Sequence, residues 1–429
     1  LVDGLTGRRR SRGGALAAAL TSLPEYLLAP LLLLILSVYL GWLPPYGWGG
    51  PERIVLPALS LGLPGGGLLG GLLSDAVAAV FAERWVTTWT TAGIGGRGLA
   101  LAVLRRALTP LTGQVALVVV GLTGGAVAVE KVFAIPGIGR ALLGSATAQD
   151  VPALQAGVLL LLVLARGAGA GGLAPAPPVE RTGDGARVVA VLGAVGLVGL
   201  VLAGIGRDPY AVVGRRLEAP SWALPLGADA LGRDVLARVA HGAVATAVSA
   251  LVVTVVCAVI GLLLGLAPRA SVGPVEVANA APPVLAGLIV AAVTGPSASG
   301  AALAVACVAW APRAAHAGAR VQEARERPDV ALAPVLGEGR ARIMLTRVLP
   351  GVVPVLARHA ALRLPGVALA LAGLGFLGLG AQAPTPEWGL VLAEALPYIE
   401  RAPWAVATPA GARVLLSDEA VAASRSGRS

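Results

Sequence analysis

The chain is laid out as apolar stretches, many long enough to cross a lipid bilayer, separated by segments rich in arginine. A hydrocarbon core takes about 20 apolar residues in helical form. Runs at 23–41, 54–80, 112–133, 188–205, 243–267, 277–294, 300–318 and 351–379 approach or exceed that length, and shorter ones lie at 151–165 and 404–416. The chain is 56% hydrophobic and 13% charged, against roughly 25% charged residues in soluble domains. Polar surface is too scarce to cover a water-soluble body of this size, so lipid must do so. The expected fold class is all-α, a polytopic membrane protein built of two related helical bundles.

Orientation follows the arginines, which favour the cytoplasmic side. Arg8, Arg9, Arg10 and Arg12 precede the first run and place it there. Alternation then sets 42–53 outside, 81–111 inside with Arg84, Arg97, Arg105 and Arg106, 134–150 outside and 166–187 inside. Residues 206–242 fall outside, and 319–350 return inside with Arg320, Arg325, Arg327, Arg340, Arg342 and Arg347. The segment 206–242 opposes the rule, carrying Arg207, Arg215, Arg216, Arg233 and Arg238 with Asp208, Glu218, Asp229 and Asp234 as partial offset; alternation takes precedence. Residues 166–187, rich in Gly, Ala and Pro, read as a linker between a first half, 1–165, and a second, 188–416, followed by a polar tail, 417–429.

Two distant loops share one plan. The first reads Trp85-Val-Thr-Thr-Trp-Thr-Thr-Ala-Gly93, then Arg105-Arg-Ala-Leu-Thr-Pro110; the second reads Ala331-Leu-Ala-Pro-Val-Leu-Gly337, then Arg347-Val-Leu-Pro350. Either alone is an ordinary basic loop. Recurrence between apolar spans suggests homologous halves and a role for each loop: a short helix lying on the membrane face that a soluble partner can grip. Small residues such as Thr88, Ala331 and Ala333 permit close approach, and Gly93 and Gly337 end the helices. Trp85 and Trp89 complete the set of candidate coupling residues.

Several chemistries find no support. A nucleotide-hydrolysing phosphate loop needs G-K-[ST], whereas the sole lysine, Lys131, follows Glu130, so any ATP hydrolysis is expected in a partner and the chain is not expected to be an enzyme. Gly93-Ile-Gly-Gly-Arg-Gly98 matches a dinucleotide fingerprint in spelling but lacks the strand that should precede it. His241, His316 and His359 are far apart without metal-ligand spacing, and Cys257 and Cys307 are too few for a zinc cluster or a disulfide framework. No metal or cofactor is expected. The net charge is +10, but the arginines lie between apolar spans rather than in one stripe, which argues against nucleic acid. Glu130 and Lys131, at the outer end of a span, are either a helix-end pair or pathway residues, and Trp388 is a further pathway or outer-face candidate. Gly66-x-x-x-Gly70, Gly67-x-x-x-Gly71, Gly121-x-x-x-Gly125 and Gly261-x-x-x-Gly265 are read as packing seams.

Taken together these passages resemble the membrane subunits of bacterial ABC importers for dipeptides, oligopeptides and nickel, of the binding-protein-dependent type. The loops resemble that family's "EAA" motif. Gly41-Trp-Leu-Pro-Pro45, Leu56-Pro-Ala58, Val129-Glu-Lys-Val-Phe-Ala-Ile-Pro-Gly-Ile-Gly139 and Asp150-Val-Pro-Ala-Leu-Gln155 are similar to the first of two permease subunits. Asp208-Pro-Tyr210, Pro225-Leu-Gly-Ala-Asp-Ala-Leu-Gly-Arg-Asp-Val-Leu-Ala-Arg238, Phe376-Leu-Gly-Leu-Gly380, Gln382-Ala-Pro-Thr-Pro-Glu-Trp-Gly389 and Ala402-Pro-Trp404 are similar to the second. The resemblance implies a fusion of the two subunits in a bacterial cell (inner) membrane. Its implied partners are two ABC ATPase subunits and an extracytoplasmic substrate-binding protein, and its cargo is a peptide or nickel.

The chain departs from the family pattern in places. The first half shows about four spans rather than about six, as though its N-terminal ones were missing, and the last span is short. Pro334 sits inside the second coupling segment, where an interior proline removes a helix hydrogen bond at a cost of about 3 kcal/mol. Two other readings remain open: a degenerate, non-transporting permease remnant, and an ion-driven secondary transporter, which would need acids or broken helices at midplane.

Overall fold

The structure, a computed structural model, describes residues 24–168, 195–266, 273–275, 278 and 283–407. The amino-terminal arginines, most of the linker and the polar tail lie outside those residues. Backbone packing divides the chain into two units, one of 1–143 with 155–192 and 428–429, the other of 144–154 with 193–427. Among the described residues the structure is helical, with isolated bridges Val212 to Arg233 and Ala228 to Asp234 and no strand.

The first unit begins with α1 (Glu25–Leu32), which runs into a π-helical stretch, Leu33–Tyr39. Then come α2 (Glu52–Phe81), α3 (Arg84–Thr91), α4 (Gly96–Leu108) and α5 (Thr112–Val132). The chain continues through α6 (Ile138–Thr147) and α7 (Val151–Ala168). Helices α1, α2 and α5 pack on one another, and α4 packs on α2. Below the first loop, Val80, Val86, Leu99, Val103 and Ala107 form a small buried core.

The second unit holds α8 (Val195–Gly204), α9 (Val235–Gly265), α10 (Pro283–Thr294) and α11 (Ala298–Glu326). It continues with α12 (Pro328–Ala331), α13 (Arg340–Leu377, with a π turn at Met344–Val348) and α14 (Trp388–Ala395). Helix α11 packs on α9, α10 and α13, and α14 packs on α13 and α9.

The surfaces of α9 show what solvent this bundle is built for. From Gly242 on, its covered face is mostly small, with Gly242, Thr246, Ala250, Cys257, Gly261 and Gly265 beside Val253, while Val248, Leu251, Val255, Val259 and Leu263 are exposed at helical spacing. Small residues inside and large apolar residues outside suit helices that associate by close backbone packing in lipid. Among the described residues, Glu52–Phe81, Val235–Gly265, Ala298–Glu326 and Arg340–Leu377 are long and apolar enough to cross a membrane.

The Gly261-x-x-x-Gly265 seam is present: a Cβ on Gly261 would fall 2.7 Å from Arg313 Cβ, and one on Gly265 would fall 2.5 Å from Ala317 Cβ. At Gly125 the neighbour is the Glu25 side chain, whereas Gly66, Gly70 and Gly121 face open space. Helix boundaries also differ from the sequence-based expectation. The apolar run read as 243–267 starts earlier as a helix: α9 begins at Val235, with Asp234 as N-cap accepting from Leu236 N–H. An Asp at that position satisfies an otherwise unpaired helix donor, which sets the start. The run 300–318 is part of a helix reaching Glu326, because its arginines and glutamates carry the helix into polar surroundings, one pair being Arg320 and Glu323 at 2.7 Å.

Candidate functional site

The two loops close with the same backbone geometry. In the first, Gly93 has φ +79°, its N–H bonds Thr90 O, and Ile94 N–H bonds Trp89 O. In the second, Gly337 has φ +80°, its N–H bonds Pro334 O, and Glu338 N–H bonds Ala333 O. Both are Schellman closures, in which a left-handed residue lets the chain fold back over the last carbonyls. Glycine is the residue that adopts that conformation without Cβ strain. Aligned on these glycines, buried Val86 of the first loop matches buried Val330 of the second; both are 5% exposed. One valine roots each loop, joined in the second by buried Ala333, while most of the other residues face outward.

The outward faces differ. In the first loop Trp85 is half-buried, and its indole N–H donates to Glu83 at 2.8 Å. Thr88, Trp89 and Gly93 are exposed, and the Trp85 and Trp89 rings meet edge to face at 5.2 Å. In the second loop Ala331 and Gly337 are exposed, whereas Ala333 is fully buried beside Val321, Val330, Ile343, Val348 and Val352. What protrudes there is Leu332, Val335 and Leu336, at 60%, 82% and 75% exposure. That apolar triad was not singled out from the sequence, although its i, i+3, i+4 spacing is legible in it.

Each loop is tied to the basic turn that follows. Glu83 accepts from Arg106 Nε at 2.8 Å, and Arg106, followed by the Trp85 indole, holds its carboxyl below the usual range. Glu338 takes both arms of Arg347, which also reaches Asp329 O at 3.2 Å, and the Arg347 guanidinium likewise lowers its carboxyl.

Pro334 acts as expected from its chemistry. The first loop makes an eight-residue helix, Arg84–Thr91, whereas the second has one α turn, Pro328–Ala331, followed by turns to Gly337. The missing Pro334 N–H is the one that would bond Val330 O. In Pro334→Ala the helix is expected to run on toward Leu336, since proline is about 3 kcal/mol worse than alanine in a helix interior. Hydrogen exchange would read this as new protection at 332–337; unchanged exchange would refute it.

Two of the other candidates, Glu130 and Trp388, make bracing contacts in the structure. Glu130 accepts the N–H of Arg140 at 2.7 Å, capping α6 from the preceding helix. A Cβ on Gly137 would lie 2.2 Å from the Glu130 carboxyl, and one on Gly139 would lie 2.9 Å from Val127 Cα. The Pro136-Gly-Ile-Gly139 run is therefore shaped to let a carboxylate and a helix backbone approach. Gly137→Ala should displace a mobile carboxylate and lose a cap worth about 1 kcal/mol. Gly139→Ala must move backbone, at about 1–3 kcal/mol, so thermal unfolding should rank it as the more damaging. Lys131 lies next along the same helix, at the end of α5. Trp388 is 2% exposed, and its indole donates to Val239 O at 2.8 Å inside the α9, α13, α14 joint.

The run Pro225–Arg238 also acquires roles that its spelling did not disclose. Asp229 Oδ1 accepts from Leu231 and Arg233 N–H, and Oδ2 from Arg233 Nε and Arg238 Nη1 at 2.7 and 2.9 Å. Glu394 of α14 also binds Arg233 and Arg238, at 3.1 and 2.6 Å, and Arg207 binds the Asp234 cap at 2.8 Å. The result is a ion-paired lid that fastens 206–234 to α9 and α14.

A small-residue helical bundle with an apolar outer face defines a polytopic α-helical membrane protein. The sequence matches the family described as "Binding-protein-dependent transport system inner membrane component" over residues 8–166 and again over 258–417, and the chain belongs to that family. Its two separate matches fit a fusion of two permease halves. The chain is 37% identical over 216 residues to the di/tripeptide transport system permease protein DppC of Pseudomonas aeruginosa, covering 47% of this chain and 71% of the relative. It is 36% identical over 253 residues to the peptide transport system permease protein SapC of Escherichia coli O6:H1, covering 54% and 85%.

Proposed function

We propose that this chain forms the translocation pathway of a bacterial inner-membrane importer for peptides, with nickel as the second cargo to test. Residues 1–165 and 188–416 serve as its two permease halves, joined by 166–187. Two separate ATPase subunits grip the loops at 83–98 and 329–342 on the cytoplasmic side, and a substrate-binding protein delivers cargo outside. The carrying observation is that both loops end in one Schellman geometry, rooted by Val86 and Val330, with exposed side chains beyond. A short rooted element of this kind transmits rigid-body motion when a partner closes on it. The ATPase states must bind the two bundle conformations with different affinity, otherwise hydrolysis could not shift them. The relatives named as peptide permeases support peptide as cargo.

The test is co-purification with ABC ATPase subunits from the same cell, followed by Gly93→Val and Gly337→Val. A β-branched residue at φ near +80° costs at least about 1–2 kcal/mol, so each closure should open and ATPase recovery should fall several-fold. Undiminished recovery with both variants would remove the coupling role. Recovery of ATPases without peptide- or nickel-stimulated hydrolysis, in the presence of binding protein, would favour the non-transporting remnant.

A further inference from the structure

Inside the second unit, helices α11 and α13 bring together basic side chains that the importer reading has not used. Arg313 is 2% exposed; Nη1 donates to Ala309 O on its own helix, while Nε and Nη2 are buried with no partner among the described residues. One turn on, His316 stacks on His359 of α13 at 4.3 Å and 15°. His316 Nε2 and His359 Nδ1 are also buried without partners among the described residues. Arg363 acts electrostatically on Arg313 and both histidines, and Arg320 acts on His316. From α9 the facing groups are Gly261, packed on Arg313, and the Cys257 thiol, which points to Ala306 O at 3.8 Å. Among the described residues no carboxylate is among the charges acting on these groups, and Arg320 is already paired with Glu323.

A cation buried in a bundle without a counter-charge is strongly unfavourable, and ionisable groups within membrane spans mark ligand pathways by default. We propose that Arg313, with His316, His359 and Arg363 around it, is a binding site for a carboxylate, namely the C-terminal carboxylate of a transported peptide. This rests on the peptide-importer reading and adds the group by which cargo is held. A guanidinium presents the planar fork that a carboxylate matches. A metal cation is disfavoured by the arginines, and among the described residues no cluster of three His, Cys, Asp or Glu could hold one. Lipid phosphate is disfavoured because Arg313 is covered by protein rather than turned to the bundle surface. The site is closed in this conformation and opens when α9, α11 and α13 shift.

The test uses the full chain in phosphatidylcholine nanodiscs, with radiolabelled dialanine, dialanine amide and inorganic phosphate in equilibrium dialysis. Dialanine should bind at least tenfold more tightly than its amide or phosphate. Arg313→Met should erase the difference without lowering the unfolding temperature, since it removes an unpaired buried charge, and His359→Gln should narrow it. Equal binding of dialanine and amide, no binding of either, equal binding of phosphate, or unaltered discrimination in both variants overturns the proposal. Loss of dialanine binding in phosphatidylglycerol discs identifies a lipid headgroup as the occupant and overturns it too. ATPase co-purification, measured on the same preparations, separates the outcomes: if it persists while discrimination is absent, the importer reading stands and the carboxylate site falls.

Discussion

Asp229→Ala should be among the most destabilising single changes in the second unit. The carboxylate bonds two backbone N–H groups of its own turn and two arginines, Arg233 and Arg238, whose side chains are 7% and 1% exposed. Removing one partner from such a buried set leaves cations without compensation, at about 3–5 kcal/mol. Glu394 still reaches both arginines and keeps the loss from being larger. Asp229→Asn retains the Oδ1 acceptor for the turn but replaces the Oδ2 acceptor of both arginines with an amide N–H donor, so it should fall between wild type and alanine. Thermal unfolding of the detergent-solubilised chain would rank the three, and equal midpoints for Ala and wild type would show that Glu394 suffices.

The pH dependence of this lid has a definite sign. Burial alone would raise the Asp229 carboxyl, but hydrogen bonds from Arg233 and Leu231 N–H and the Arg233 guanidinium outweigh it, so the folded value lies below the ordinary one. A carboxyl lowered by folding stabilises fully above its unfolded pKa, about 3.9, and that contribution disappears as pH falls through the folded value. Wild type should therefore lose stability below about pH 4 more steeply than Asp229→Asn.

Gly389→Val should be comparably severe, for steric rather than electrostatic reasons. A Cβ at Gly389 would stand 2.1 Å from Ala372 O and 2.4 Å from Phe376 N. Both are backbone atoms of α13, so no rotamer change relieves the overlap, and α14 must lift away. Overpacking of this kind costs about 1–3 kcal/mol. Lifting α14 also strains the Glu387 cap on Gly389 and Leu390 N–H and draws the Trp388 indole from Val239 O. The expected result is a lowered unfolding midpoint together with a red-shifted tryptophan emission. Gly70→Ala is the matched control: nothing lies within 4 Å of its Cβ position, so it should be neutral or gain up to about 1 kcal/mol from helix propensity. Similar losses at both positions would refute the close-approach argument.

Much of this protein was legible because lipid imposes a simple rule on sequence. Apolar runs of bilayer length announced helices, and α2, α5, α9, α11 and α13 lie where such runs were found. The loop glycines were legible too, since glycine before a fresh helix is the ordinary sign of a left-handed closure. So was the break at Pro334, because a missing N–H is a property of the residue itself.

Partnership between distant residues was not legible. Separation in sequence concealed the stacking of His316 on His359, which depends on where α11 meets α13. The same holds for Glu130 capping α6, Trp388 bracing Val239, and Asp229 and Glu394 sharing two arginines. Ala333 and Thr88 looked alike as small residues, yet one is buried and the other exposed, because packing around Val330 turned the proline-broken segment so that Leu332, Val335 and Leu336 face outward. Hydrophobic patterning alone determined the helical, membrane-spanning class and the repetition of the loops, since burial in lipid acts on each segment locally. Which charges are matched, which glycines admit a neighbour and which side chains face a partner were decided only by tertiary packing, since those depend on atoms brought within a few ångströms by other helices.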